Sequence, residues 1–323
     1  MMNIFKFYLS TLSLSILALF FILGTSSCSP KVADKTTSES SYERLENRLL
    51  WEISGNDLAQ PSYLFGTIHI INSDSYFLPE GLLTAFDKSQ SVVFEIDMAE
   101  MNDMGAMMSI MQRAFMDGGV TLKDLLEEED YKIVESHFNE MGLPFFMLDR
   151  IKPMFLTILS DPSMGGGDGI DLMGGSGGMK SYEVELNKMA EAAGKPVSGL
   201  ETIDFQMSLF DSIPYSIQAE MLVESIKNPE IMDAGGSLEQ ITQIYVDQDI
   251  ELMVSMVKDD AGGFGEHTDF ILKNRNIEWI APMMEKMSQG PVFFAVGAGH
   301  LAGDYGVIRL LRKEGFTVEP FNP

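Results

Sequence analysis

The sequence contains four histidines, and two of them follow a glycine at the same spacing, each at the end of an apolar run. His69 ends Gly-Thr-Ile-His after a strand-like run that begins at Tyr63, and His300 ends Gly-Ala-Gly-His after a second run. Gly66 and Gly297 permit positive φ and close backbone approach, so that each strand can turn sharply. The imidazoles then project into a crevice. One such histidine is more often a satisfied core residue, but the repeat favours a functional interpretation.

Two glutamates stand where apolar strands end, Glu95 after Val-Val-Phe and Glu201 after Ser-Gly-Leu. If the strand ending near Glu95 is a neighbour of the strand that leads to His69, the carboxylate and the imidazole lie close together. Such a pair can act in acid–base catalysis or as metal ligands. Two other interpretations stay open, a water-facing acid at Glu95 and a helix-capping or surface role for Glu201.

An arginine with an unusual context completes the candidate set. Arg275 lies among apolar residues at helical spacing in ILKNRNIEW. A surface position is the ordinary interpretation of an arginine. The functional interpretation directs its guanidinium at a substrate oxygen or carboxylate.

The elements that must position these residues form a repeated pattern. A strand, a Gly-x-x-His motif, a loop, a short helix and a second strand occur once around residues 63–96 and again at 292–320. Strand–helix–strand units favour crossovers in a common sheet, with ligands at the carboxyl ends of the strands. We therefore predict an α/β fold, with a mixed central sheet built from two related halves and a large helical insertion between them. The glycine-rich segment 161–179 is predicted to be a loop.

The composition argues against nucleic-acid binding and excludes sites that depend on several cysteines. The 323-residue chain has a formal net charge of -26, so it lacks the basic surface that binds nucleic acid. Its hydrophobic fraction of 45% is ample for a sizeable core. The only cysteine is Cys28, which excludes disulfides within the chain and thiolate metal sites.

The amino-terminal segment has the composition of a secretory signal. Residues 1–27 carry one lysine, then a long apolar run, then small residues that lead directly into Cys28. This order resembles a bacterial lipoprotein signal with Cys28 as the lipidated residue, although an uncleaved anchor is an alternative. We predict a signal peptide over 1–27, a flexible tether over 28–44 and a single folded domain over 45–323. The expected location is the cell envelope, with a lipid anchor in the membrane.

Four motifs together resemble the TraB/GumN family. They are GTIH at 66–69, GKPVSGLET at 194–202, NRNIEW at 274–279 and FFAVGAGHLAGDYGV at 293–307. Related proteins include the TIKI metalloproteases, and erythromycin esterases and ChaN-like haem-binding lipoproteins are more distantly similar. The resemblance implies a hydrolase-like α/β site that is metal-dependent in the TIKI branch. The family's motif positions carry over to His69, Glu95, Arg275 and His300.

The leading hypothesis is a lipid-anchored, metal-dependent peptidase or amidase that takes a peptide or small molecule in a cleft. His69, Glu95 and His300 would hold Mn, Co, Fe or Zn, and Arg275 would steady the developing oxyanion. In a metal-free variant, His69 and Glu95 would activate water directly. The alternatives are a non-enzymatic haem-binding or metal-binding lipoprotein and a lipoprotein with an inactive site. Ser176 in GGSGG lacks the strand and helix that a serine nucleophile motif requires.

Overall fold

The computed structural model of the chain describes residues 42–100, 104–160, 178–228, 238–259 and 269–323. Its strands are β1 (Leu50–Gly55), β2 (Ser62–Thr67), β3 (Ile71–Asn72), β4 (Ser91–Ile96), β5 (Met179–Lys180), β6 (Val197–Glu201), β7 (Val292–Gly297) and β8 (Phe316–Pro320). Its α-helices are α1 (Leu82–Lys88), α2 (Met104–Arg113), α3 (Leu122–Leu125), α4 (Glu128–Glu140), α5 (Pro153–Ser160), α6 (Tyr182–Ala193), α7 (Ile203–Leu209), α8 (Tyr215–Lys227), α9 (Leu238–Val246), α10 (Ile250–Asp259), α11 (Asn274–Gln289) and α12 (Val307–Lys313).

Six strands form a mixed central sheet in the order β6-β4-β7-β2-β1-β8. β6, β4, β7 and β2 are parallel neighbours, whereas β1 runs antiparallel to both β2 and β8. These four strands, or the turns that follow them, carry four of the five predicted site residues, and Arg275 lies on α11. The carboxyl ends of parallel strands lie at one edge of a sheet, so the residues that end these strands lie near one another.

The predicted α/β fold with two related halves is confirmed. One half is β2, α1 and β4, and the other is β7, α12 and β8. The two connections differ in the number of strands that they cross. One strand, β7, lies between β2 and β4, and two strands, β2 and β1, lie between β7 and β8. The predicted helical insertion between the two halves is also present, since α2 to α6 precede β6 and further helices, among them α8, follow it before the chain reaches β7.

The structure differs from the sequence interpretation in three details. β2 ends at Thr67, so His69 lies two residues beyond the strand. β2 and β4 are not neighbours, because β7 lies between them and pairs with both. Neither motif glycine has positive φ, since Gly297 has φ -52° and Gly66 lies inside the extended strand. Close approach of the backbone, and not a left-handed turn, therefore explains the two glycines.

Two apolar cores form. The larger one packs helices on both sides of the central sheet and includes Trp51, Phe65, Phe94, Phe293 and Trp279. The smaller one lies inside the helical insertion and joins α3, α4 and α5 to α8 through Leu122, Phe138, Leu156 and Leu222. The insertion thus has a core of its own and does not depend on the sheet for all its buried surface.

Several predicted segments lie outside the described residues. They are the signal peptide 1–27 with Cys28, the tether up to residue 41, and the glycine-rich stretch 161–177 with Ser176. Within the described ranges, no helix combines the length and apolar composition needed to cross a membrane. At the start of those ranges, Arg44 pairs with Asp249 at 2.5 Å, and Leu45 donates its amide to Glu251.

Candidate functional site at the carboxyl edge of the parallel strands

The predicted site residues on the four parallel strands follow one another across the sheet, from β6 to β2. Glu201 ends β6, Glu95 is the fifth residue of the neighbouring β4, and β7 leads into a short 3-10 helix that ends at His300. β2 then ends beside β7 and leads to His69. Residues that are more than 200 positions apart in the sequence therefore meet at one edge of the sheet.

Arg275, the second residue of α11, holds both carboxylates. Its Nη2 donates to Glu95 Oε2 and to Glu201 Oε1, both at 2.6 Å, and its Nε donates to both oxygens of Glu201 at 3.1 and 3.2 Å. Gln206 bridges the same two acids through Nε2, at 3.1 Å to Glu95 and 2.7 Å to Glu201. These side chains are almost fully buried, at 7% exposure for Arg275, 10% for Glu95 and 6% for Glu201. The cluster is a buried, charge-assisted network with fixed geometry.

Glu95 is held in its ionised form. Burial alone raises the pKa of a carboxyl group, but four groups outweigh it and lower the pKa of Glu95 to about 2: His300, which is protonated only in acid, the Arg275 guanidinium, the charge of His69 and the Gly297 amide. The Gly297 N–H donates to Glu95 Oε1 at 2.8 Å. At neutral pH the site therefore carries a permanent negative charge on this carboxylate.

The hydrogen bonds around His300 determine its tautomer. Asn276 donates Nδ2 to two carbonyl oxygens, those of His300 and Tyr305, so its Oδ1 faces the imidazole as an acceptor. Nδ1 of His300 is 2.6 Å from that oxygen and must carry the proton. Nε2 is then the acceptor, 3.2 Å from Nη1 of Arg275 and 3.7 Å from Glu95 Oε1. Burial lowers the pKa of His300 to about 3, against the opposing effect of Glu95, so the ring is neutral at pH 7.

The indole of Trp279 packs this part of the site. Its ring centroid is 4.4 Å from that of His300, and the Arg275 guanidinium lies 5.0 Å from the indole ring. Its Nε1 donates to Glu201 Oε2 at 2.8 Å. Arg275, Asn276 and Trp279 occupy positions i, i+1 and i+4 of α11, so one end of one helix supplies all three contacts. A π-helical turn, Asp269–Lys273, precedes this helix and gives the carbonyl of Ile271 to Arg275 Nη1.

His69 has a different environment from the other four site residues. Its side chain is 73% exposed, and its Nδ1 lies 3.1 Å from Oε1 of Glu183, near the start of α6. The charge of Glu183 and this hydrogen bond raise the pKa of His69 to about 9, so the ring is protonated at neutral pH. Glu183 is itself mostly buried, with 15% of its side chain exposed.

The structure brings four of the five predicted residues, Glu95, Glu201, Arg275 and His300, into direct contact. His69 lies within the range of their charges, since Glu95 raises its pKa and Arg275 lowers it. Its side-chain hydrogen bond nevertheless goes to Glu183. Among the described residues, no three His, Cys, Asp or Glu side chains are grouped as a metal site.

The motif glycines give the two Gly-x-x-His segments room. A Cβ at Gly66 would lie 2.9 Å from Leu301 Cδ2 and 3.1 Å from Ala298 Cα, so the end of β2 touches the turn that carries His300. A Cβ at Gly297 would lie 3.2 Å from Glu95 Oε1 and 3.6 Å from His300 Cδ2. A side chain at Gly66 would therefore press on the second motif, and a side chain at Gly297 would press on Glu95.

Sequence reasoning missed four polar or aromatic residues of the site. Trp279 lies one turn after Arg275, at position i+4 of the helix, so its spacing within NRNIEW would have been enough to find it, whereas Asn276 at i+1 is identified only by its contact with His300. Gln206 follows Glu201 by five residues across a strand–helix junction, and only the fold shows that it bridges two acids. Glu183 follows a helix-capping serine, a context that ordinarily indicates a role in the helix.

Together, the fold and these contacts define an α/β protein with a buried carboxylate–guanidinium cluster and two imidazoles at the carboxyl edge of its parallel strands. The sequence model of the TraB/PrgY/gumN family matches residues 49–320. The chain therefore belongs to the TraB/PrgY/gumN family, as its motifs predicted.

Curated relatives include animal metalloproteases. The chain is 24% identical over 339 residues to Metalloprotease TIKI2 of Danio rerio, covering 91% of this chain and 64% of that protein. It is 24% identical over 319 residues to Metalloprotease TIKI1 of Homo sapiens, covering 84% of this chain and 62% of that protein. The chain thus spans less than two thirds of the length of these relatives. No solved structure matches it.

Proposed function

We propose that this protein is a metal-dependent hydrolase of peptide or amide bonds whose site is the cluster around Glu95. The supporting observation concerns the imidazoles of His69 and His300. Each has its Nδ1 hydrogen-bonded to a side-chain oxygen, and both follow strands that neighbour each other at the edge of the sheet where Glu95 is ionised. The name metalloprotease, carried by the TIKI relatives, supports the same class of reaction.

The donor set fits a divalent ion chemically. Histidine ligands of metals commonly donate their second ring N–H to a carboxylate or carbonyl oxygen, which leaves the other nitrogen for the metal. His69 does this toward Glu183 and His300 toward Asn276. Glu95 and Glu201 share the guanidinium of Arg275, and Glu183 pairs with His69, so three carboxylates face two cations and the site keeps an excess of negative charge that favours a metal cation.

In this proposal His69, Glu95 and His300 would hold the metal, which is one of Mn, Co, Fe or Zn because every donor is nitrogen or oxygen. Bound there, a divalent ion would polarise the scissile carbonyl and lower the pKa of a water molecule. Neutral His300 would offer its Nε2 lone pair without first losing a proton, once Nη1 of Arg275, 3.2 Å away, turns from it. His69 has to release a proton to become a ligand, which makes metal affinity depend on pH.

Arg275 has a positioning role in this proposal. Its Nε, Nη1 and Nη2 all donate to partners within the protein, and Glu95 and Glu201 take most of these hydrogen bonds. It thus keeps Glu95 ionised and fixed in direction while substrate binds. The oxyanion-stabilising role predicted from sequence requires Nη1, which faces His300, to turn toward substrate.

The decisive experiment is metal analysis of protein purified without chelators, followed by hydrolysis assays on casein and model peptides with and without EDTA. We expect close to one divalent ion per chain, loss of activity in EDTA and recovery on adding the ion back. Glu95→Gln should abolish activity and metal retention. Glu285→Gln is the matched control, because Glu285 is exposed on the far part of α11.

Other results would redirect the proposal. Hydrolysis that survives EDTA in metal-free protein would contradict the metal and leave His69 and Glu95 to activate water directly. A Soret shift on adding haemin, with no hydrolysis of any peptide, would replace the proposal with the ligand-carrier hypothesis.

We further propose that the protein is held at the cell envelope through a lipid on Cys28. The support is the apolar run and the small residues that precede this cysteine. Fatty-acid labelling in a bacterial host, followed by membrane fractionation, tests it. The wild-type chain should be labelled and sediment with membranes, and Cys28→Ser should be unlabelled. An equally labelled variant would contradict the proposal.

A further inference from the structure

Glu183 is surrounded by donors that fix its carboxylate. The hydroxyl of Thr67 donates to Oε1 at 2.7 Å, the hydroxyl of Ser181 donates to Oε2 at 3.0 Å, and His69 Nδ1 lies 3.1 Å from Oε1. Thr67 is fully buried at the end of β2, and Ser181 is the N-cap of α6. Both oxygens of the glutamate are therefore held by residues other than the histidine.

The backbone brings this carboxylate to His69 through a small second sheet. β3, which begins two residues after His69, pairs with β5, which directly precedes Ser181, with Ile71 opposite Lys180 and Asn72 opposite Met179. The amide of Ser73 also donates to the carbonyl of Gly178 at 2.7 Å. The segment after the first Gly-x-x-His motif is thus attached to the segment that begins α6.

Two simple consequences follow for the imidazole. An ionised carboxylate only accepts hydrogen bonds, so Nδ1 of His69 must carry a proton and Nε2 is the nitrogen left for chemistry. Because the ring is 73% exposed, packing alone does not select its orientation. The hydrogen bond to Glu183 is the contact that selects the orientation of the ring.

We propose that Glu183 is a positioning residue for His69, which fixes the ring's orientation and keeps its proton on Nδ1 so that Nε2 serves the reaction. The inference rests on the proposed function, because it assumes that His69 takes part in hydrolysis. An ordinary exposed ion pair contributes little and needs no supporting donors. Here Thr67 and Ser181 hold the carboxylate of Glu183 in place independently of the histidine, as expected of a carboxylate that orients a functional imidazole.

Three variants separate a positioning role from a structural one. Glu183→Ala removes the acceptor, and Glu183→Gln keeps an oxygen of the same shape while removing the charge. Glu185→Gln is the matched control, since Glu185 lies in the same first turn of α6 and pairs with Lys188 at 2.9 Å. The readouts are kcat and KM on a model peptide, thermal melting, and ¹⁵N NMR of the ring nitrogens of His69 at the high-pH plateau of its titration, assigned with His69→Asn.

We expect Glu183→Ala to lower kcat about 10- to 100-fold, with KM and melting temperature nearly unchanged. Its NMR signals should show the proton moving from Nδ1 to Nε2, the tautomer that a histidine side chain prefers when it is free in water. Glu183→Gln should keep the proton on Nδ1 and recover part of the lost kcat. The Glu185→Gln control should match wild type in every readout.

An unchanged tautomer in Glu183→Ala, or full activity in that variant, would overturn the proposal. If Glu183→Ala does not fold, Glu183→Gln decides alone, and a proton on Nε2 in that variant would also overturn it. Failure of the proposed function is distinguishable, because a wild-type protein that hydrolyses no peptide still reports through NMR whether Glu183 sets the tautomer of His69.

Discussion

At the scale of single residues, two histidines with the same sequence motif have opposite electrostatic environments. His300 is buried against Trp279, and its pKa is lowered to about 3, whereas His69 is exposed beside Glu183, and its pKa is raised to about 9. At neutral pH one ring is neutral and the other is cationic. Tertiary surroundings alone produce this difference.

Replacing the two histidines should therefore have different effects on stability. His69→Ala should leave the melting temperature nearly unchanged, because the ring is exposed. His300→Ala should lower the free energy of unfolding by about 2–4 kcal/mol, since it leaves a cavity beside Trp279 and an unpartnered Asn276 oxygen. In both variants hydrolysis should be lost. Equal melting temperatures, measured by calorimetry, would contradict the buried position of His300.

Acid should weaken the fold through this site. The folded pKa of Glu95, about 2, lies below its ordinary value of 4.5, so its contribution is present above pH 4.5 and is lost as pH falls toward 2. His300, with a folded pKa of about 3, adds a loss in the same direction between pH 6.5 and pH 3, because the unfolded chain takes up the proton first.

Glu95→Gln tests this acid dependence. The variant should be destabilised by about 3 kcal/mol at pH 7, because Arg275 loses one of its two carboxylates. It should then lose less stability than wild type between pH 4.5 and pH 2. Denaturant titrations across this range measure both effects, with Glu285→Gln expected to follow wild type. A Glu95→Gln curve parallel to wild type would show that folding does not lower the pKa of Glu95.

At the scale of elements, the sheet order brings the two motifs together. β7 lies between β2 and β4, so the turn that carries His300 touches Glu95 on one side and the end of β2 on the other. Helix α11 then covers this edge with Arg275, Asn276 and Trp279. The site is thus assembled from strand ends and one helix start, which are rigid parts of the fold.

Gly66→Ala should disturb this contact between elements. Its new methyl group would lie 2.9 Å from Leu301 Cδ2 and 3.1 Å from Ala298 Cα, and overpacking of this kind costs about 1–3 kcal/mol. Gly299→Ala is the matched control within the second motif, because its nearest neighbours would be 4.0 Å away. Melting temperatures of the two variants measure the difference. A Gly299→Ala variant as unstable as Gly66→Ala would refute the close-approach explanation.

At the scale of the whole molecule, the sheet with its site and the helical insertion have separate apolar cores. They are connected by polar contacts, including the ion pair of Arg113 with Asp204 at 3.0 Å, which joins α2 to α7. The insertion can therefore lose stability locally while the sheet keeps its structure.

Phe138→Ala should show this partial independence. Phe138 is fully buried in the insertion core, and its truncation should cost about 3–5 kcal/mol there. Hydrogen exchange should rise in α3, α4, α5 and α8, with β2, β4 and β7 still protected. Phe146, which is 82% exposed, provides the control Phe146→Ala. Uniform loss of protection, including the central strands, would mean that the two cores unfold as one.

Much of the fold follows from local patterns in the sequence. The strand that contains Glu95, the strand that ends at Glu201 and the helix over 182–193 are fixed by apolar runs, capping residues and glycine at the helix end. The repeated strand–helix–strand pattern adds the α/β sheet and the helical insertion. The individual strands and helices depend on neighbours within about ten positions along the chain, which the sequence displays directly.

What the sequence determined by itself was the set of strand-terminal acids and glycine-preceded histidines, because residue type and spacing are written in the chain. Only the tertiary structure decided that β7 separates β2 from β4, that Arg275 is held by two carboxylates, and that Glu183 binds His69. The physical reason is that strand order and ion pairing depend on contacts between residues some 75 to 230 positions apart, whose energies no local pattern encodes.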